Sequence, residues 1–454
     1  MQTSTKQRVL WQKRIVVSAL LVMVMLAIVW VVMQLHAQPS YGDSVEYWMW
    51  SRLRPVRVDG LRSVFYPLYM ALPQLIFSEM WTRVVIYVGQ LCLTWMVAWY
   101  FFQTLDRLTD QRINKKGAAI LACILTTTPL LAHFGVSILT DSIAAAMFIA
   151  AVCAGMLVIT KRSKRHDVVV LLLATVSVSL LRVDRLSQLQ MLLLMSGVAL
   201  FIFRRKVLYT LLVVLGVSIV GSVVGRSFQT ADIGRPLPSL RFAFFDRMTA
   251  GYLSGELSSM PQPIQENVPP DLAARWDADR GLGPDSSELR KAVASQETES
   301  VLVGAGLTSF KKNSAAISAD IGRDVISYMA APVAYSAQTL TRDSDYSRLT
   351  RRTNQKLIEA TPGASKLYIG YGLALHAALL LSFLVSRRVR GRLIASLSTA
   401  LMILAVVGVV SVTHAFSSAI GFHIRYALPV YFLEIGYLLW CSVDLVHYRQ
   451  ENRL

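Results

Sequence analysis

The first acidic residue of this chain is Asp43, directly after the first long apolar run. It stands in Tyr41-Gly42-Asp43-Ser44-Val45-Glu46-Tyr47-Trp48-Met49-Trp50. Asp43 and Glu46 are three apart, so on a helix they share a face. A carboxylate at a water–lipid boundary can take a proton from an attacking hydroxyl or help to hold a cation. The plainer reading is a solvated loop acid. A second acid, Asp141, opens another apolar run in Leu139-Thr140-Asp141-Ser142. A charge at the edge of such a run is costly, which makes it a functional candidate. It also suits the first turn of a helix, where the dipole favours an anion. The two readings are compatible.

Cations accompany these acids. Arg182, Asp184 and Arg185 form a tight turn between two apolar runs. Two guanidiniums there could bind a lipid phosphate through charge-assisted hydrogen bonds; an Arg–Asp pair within the turn is the alternative. His423, Arg425 and Tyr426 open the last apolar run, ahead of Pro429. Arg425 could bind phosphate or snorkel to headgroups. Arg62 and Tyr66 of the first loop join Glu46 and Tyr47 as substrate-contact candidates. His36, His133 and His414 are isolated, lack metal-ligand spacing, and read as core or interfacial residues. Cys92, Cys123, Cys153 and Cys441 all fall inside apolar runs and read as small core hydrophobes. No cofactor is implied beyond a divalent cation that the carboxylates could hold.

The elements that must position these groups are membrane helices. The chain is 54% hydrophobic and 16% charged, where soluble proteins carry about 25% charged residues. Its apolar residues come in blocks, which predicts an all-α polytopic membrane protein. Ten spans are expected: 15–35, 83–102, 117–132, 136–160, 168–181, 188–203, 207–224, 365–386, 393–413 and 424–442. The third and fifth are short, with a kink expected near Pro129. Ile15–Leu35 is too long for a signal-peptide core and reads as an uncleaved span.

The net charge of +18 lies mostly in short clusters between the spans, which suits topology rather than nucleic acid. Segments on one side hold 21 basic residues, against seven in the short segments on the other. The richer side is cytoplasmic, so both termini are expected inside and Asp43 outside, in a plasma (inner) membrane. Three parts follow. Residues 1–224 form a seven-span module whose first outer loop, 36–82, carries a Tyr- and Trp-rich interfacial helix. Residues 225–364 form a nearly neutral extracytoplasmic domain, Pro- and Gly-rich at first and helical from about 286. Residues 365–454 form a three-span module. Gly304-Ala305-Gly306 follows no strand and carries no nucleotide meaning.

Taken together these positions resemble the GT-C glycosyltransferases, polytopic enzymes that use polyprenyl-phosphate sugars. The shared features are a first-loop Asp with an aromatic stretch (Asp43, Tyr47) and Pro67-Leu68-Tyr69. The Leu139–Ser142 motif, seven spans before a large outer domain, and Arg425-Tyr426 ahead of Pro429 complete the set. Protein mannosyltransferases and lipid A aminoarabinose transferases are of this kind. Many relatives place Asp and Glu side by side, whereas here Ser44 follows Asp43. The resemblance implies inverting transfer at the outer face, with Asp43 as general base, Asp141 as its partner, and Arg182, Arg185 or Arg425 on the departing phosphate. The implied partners are a polyprenyl-phosphate sugar, membrane lipids, and a glycan, lipid or protein acceptor. No nucleic acid is implied.

Two other readings compete. An O-antigen or polysaccharide polymerase would keep its essential arginines in the large loops and need no first-loop Asp. A lipid-linked glycan flippase or other transporter would show mid-membrane charges and internal repeats. No repeat is visible, and Glu434 is the main mid-span charge.

Overall fold

The computed structural model describes residues 65–109, 115–182, 188–194, 212–220, 393–417 and 424–451, with scattered positions within 24–51, at 223 and within 310–329. Everything structural below refers to these residues. They are helical, and no strand occurs among them.

The first element, α1 (Phe65–Gln74), lies within the expected first outer loop. The Pro67-Leu68-Tyr69 motif is helical, despite a second proline at position 73. Pro67 falls in the first turn, where a missing N–H costs nothing, and Pro73 lies near the end. Tyr66, Met70 and Ala71 face inward, while Leu68 and Leu72 are exposed. A Cβ on Gly89 would stand 2.8 Å from Tyr69 Oη, so the glycine lets α1 approach the next helix closely.

That helix, α2 (Glu79–Thr109), has 31 residues and a length of about 46 Å, more than the ~30 Å of a hydrocarbon core. The expected third span, 117–132, is broken in two: α3 (Lys115–Thr126) and α4 (Pro129–Gly135). Pro129 explains the break. It offers no N–H, and it pushes Thr128 to an extended φ of −59° and ψ of 144°. The hydroxyls of Thr127 and Thr128 donate to the carbonyls of Cys123 and Leu125 at 2.8 and 2.6 Å. The same two carbonyls also accept the backbone N–H groups of Thr127 and Thr128, so both sets of donors close the last turn of α3.

The central helix is α5 (Thr140–Ile159), buried on nearly every side. A helix apolar all round belongs inside a bundle, and its run of Ala and Gly permits close neighbours. It begins four residues later than expected, because 136–139 form a buried non-helical passage ending in extended Leu139. It ends in a Schellman turn. Lys161 takes a φ of 59°, its N–H donates to Val158 O, and the Arg162 N–H donates to Leu157 O.

The chain then returns through α6 (Arg165–Leu181), antiparallel to α5 and three residues longer than expected. The added turn brings in Asp167, which accepts from Arg107 Nη2 at 2.8 Å, Tyr100 Oη at 2.9 Å and the Lys164 N–H at 2.5 Å. Arg107 also donates to the Arg162 carbonyl, and Arg162 to the Arg107 carbonyl. This knot closes the end of the bundle opposite Asp141. Burial works to raise the Asp167 carboxyl, but its hydrogen bonds, led by Arg107, outweigh that and hold it below the ordinary range.

Two later helices complete the packing: α7 (Leu393–Ser417), then a short 3-10 turn (Ile424–Ala427) running into α8 (Leu428–Glu451). Leu428, Phe432 and Tyr437 of α8 join the core formed by α2, α3 and α5. A Cβ on Gly436 would meet Phe101 Cε1 at 2.7 Å, so this contact requires glycine.

Among the described residues two helices, α2 and α5, are long and apolar enough to cross a membrane. Shorter apolar stretches occur at Thr399–Ala415 and Leu428–Val443. The expected spans 15–35 and 365–386 lie essentially outside the described residues, and those at 188–203 and 207–224 are described only in part. The described positions within 310–329 are helical. One expectation for the cysteines fails: Cys92 is exposed on α2, whereas Cys153 and Cys441 are buried.

Candidate functional site

Three sequence-predicted residues meet at one end of the bundle. Asp141 lies in the first turn of α5 and is 1% exposed. Arg182 ends α6, and its Nη1 donates to Asp141 Oδ1 at 2.5 Å. The pair suits its backbone. Asp141 sits at the positive end of one helix and Arg182 at the negative end of its antiparallel neighbour. Arg182 is thus paired with an acid of the neighbouring helix, 41 positions away in sequence; Asp184, its expected partner within the turn, lies outside the described residues. The Arg182 guanidinium also lies 5.1 Å from the ring centroid of Tyr426, in the 3-10 turn before α8.

A second group fixes the first loop beside this cluster. Tyr47 meets Tyr66 edge-on at 5.1 Å, and both are buried. Tyr66 reaches Gln90 of α2, which sequence reasoning missed. With the Gln90 amide oxygen toward Tyr66, the phenol donates to it at 2.8 Å. The amide nitrogen then faces Ser142 Oγ at 2.9 Å, Ser137 O at 3.1 Å and Gly135 O at 3.2 Å. This orientation satisfies both ends of the amide. Gln90 thereby supports the non-helical passage before Asp141, whose buried carbonyls need donors. Burial holds the Tyr66 phenol well above its ordinary range, so it remains neutral. The available signal for Gln90 was an amide inside an apolar run, a residue type that a hydropathy scan passes over.

His414, set aside as isolated, is buried against Tyr426, with ring centroids 5.1 Å apart. Asp43, Glu46, Arg62, Arg185 and His423 lie outside the described residues, as does the side chain of Arg425. Among the described residues no group of three His, Cys, Asp or Glu side chains could hold a metal ion.

The site thus has a buried carboxylate, a cation fixed by it, and an aromatic platform under that cation, all beside the anchored first loop. Such a constellation suits an anionic ligand and a hydroxyl-bearing one. Residues 29–230 match the Alg9-like mannosyltransferase family. This is a family of GT-C fold glycosyltransferases, so the resemblance read from the sequence holds over that stretch. The matched region contains Asp43, Tyr66, Asp141 and Arg182, and stops before Tyr426 and His414. Its glycosyltransferases are embedded in membranes, in keeping with the helical, apolar architecture. No curated protein and no solved structure matches the chain.

Proposed function

We propose that this protein is an inverting membrane glycosyltransferase that moves a sugar, mannose in the first instance, from a polyprenyl-phosphate donor to an acceptor hydroxyl at the outer face. Asp43 is the general base, taking the acceptor proton as its oxygen attacks the anomeric carbon. The bond to the lipid phosphate breaks on the opposite face of the sugar, and the anionic phosphate departs toward Arg182. Asp141 fixes the plane of that guanidinium. Because the carboxylate offsets one positive charge, a departing phosphate calls for further cations, and Arg185 and Arg425 supply them. Glu46, Arg62 and His423 border the sugar and acceptor in this reading.

The observation that carries the reading is the meeting of Asp141, Arg182 and Tyr426 at the end of the bundle where the first loop is anchored. Incubation of the full chain in membranes with radiolabelled polyprenyl-phosphate mannose tests it. Label moved into a new glycosidic bond supports the reading. Label that crosses the bilayer while still on its lipid would make the protein a transporter.

A further inference from the structure

Tyr426 is held from a second direction. His414, in the last turn of α7, stacks on its ring with the planes only 10° apart. Next to His414 lies Tyr328, 5.6 Å away between centroids and fully buried. Ile317, Ile321, Ala415 and Ala427 pack in the same cluster. Tyr426 needs such support. Its backbone is a four-residue 3-10 turn, a short element that does little to fix a side chain. A guanidinium gains from an aromatic face only while the ring keeps its orientation.

We propose that His414 is a positioning residue. It holds the Tyr426 ring against Arg182, and so sets the guanidinium for the phosphate of the lipid-linked donor. Tyr328, from the 225–364 segment, backs the imidazole and ties that segment to the site. The inference rests on the reading above, in which Arg182 meets the donor phosphate. The imidazole acts here as a flat surface and not as a proton carrier.

The test uses the full chain in nanodiscs with farnesyl phosphate as the probe, alongside donor kinetics. The stacking contact is expected to be worth about five-fold in affinity, in keeping with an aromatic–cation contribution of about 1 kcal/mol. His414→Ala is expected to weaken binding about five-fold and to lower kcat/KM for the donor by at least as much. His414→Phe, which keeps a flat ring, is expected to stay within about two-fold of wild type. If His414→Ala does not fold, His414→Leu takes its place, since it keeps bulk without the aromatic face. Wild-type affinity in the Ala or Leu variant would overturn the proposal. So would equal losses in the Phe and Ala variants, because the ring nitrogens would then matter. A wild-type chain that neither binds the probe nor transfers sugar would overturn the underlying function and this inference with it.

Discussion

Asp141 and Arg182 stand 41 positions apart in sequence and form a partly buried ion pair of 2.5 Å across the α5–α6 hairpin. The pair ties the start of the central helix to the end of its neighbour at the mouth of the proposed site. Removing the cation should remove its stabilisation of the leaving phosphate. Arg182→Ala is expected to lower kcat/KM roughly 100-fold, in the range seen when one charge-stabilising donor is lost. Asp141→Asn should cost less, about ten-fold, because it loosens the guanidinium without removing it. A double-mutant cycle should show coupling of about 1 kcal/mol or more. Strictly additive losses would mean that the pair does not act as a unit.

Gln90 should matter for stability before it matters for chemistry. Gln90→Leu leaves Tyr66, Ser142 and the Gly135 carbonyl short of a partner in a buried setting, while the Ser137 carbonyl keeps the Leu139 N–H. The expected cost is about 1–3 kcal/mol, read as a lowered unfolding temperature in detergent. Adding Tyr66→Phe and Ser142→Ala to that variant should recover part of the loss, because two of the orphaned groups are then gone.

The two acids at the ends of the bundle differ in how readily the sequence reveals them. Asp141 is legible because a charge at the edge of an apolar run is conspicuous, and Arg182 because it interrupts two such runs. Tyr426 is legible from its place beside Arg425 at the opening of the last apolar run, and again in the resemblance. Asp167 is not, since it lies beside a basic cluster and looks solvated. Its importance comes from Tyr100 and Arg107, which come within reach because α2 and α6 both pack on α5. Gln90 was missed for the same reason, while His414 was read as a core or interfacial residue and is buried as such, its proposed role being equally hidden in the sequence. Each is unremarkable in its local sequence and takes its role from residues far along the chain. The break before Pro129 was visible in advance, because it follows from the proline ring itself.

Asp167 gives the fold an acid limit. Its folded carboxyl titrates below the ordinary carboxylate value of about 3.9. The associated stability is therefore fully present above that ordinary value and is lost as pH falls through the folded one. Thermal unfolding should be flat from neutral pH to about pH 5 as far as this group is concerned, then fall more steeply below about pH 4. Asp167→Asn should lower the midpoint at neutral pH, by about 3 kcal/mol in stability, because it leaves Arg107 without its anion. It should also flatten the acid limb. An unchanged acid limb would show that other carboxyls govern it.

Lys161 provides a gain-of-stability test. It holds a left-handed backbone at the end of α5, a conformation that costs an L-residue roughly 1–2 kcal/mol. Lys161→Gly should raise stability by about 0.5–1 kcal/mol with transfer activity unchanged. A fall in melting temperature would indicate that the Lys161 side chain contributes more than its backbone costs.

The central claim concerns Asp43, and the most direct test is its isosteric replacement. Transfer of radiolabelled mannose from polyprenyl-phosphate mannose should be measured for wild type and Asp43→Asn, matched in expression and melting temperature. A general base typically contributes about 10²–10⁴-fold, so transfer should fall by at least two orders of magnitude while farnesyl phosphate binding is retained. Transfer by Asp43→Asn at close to the wild-type rate would contradict the account.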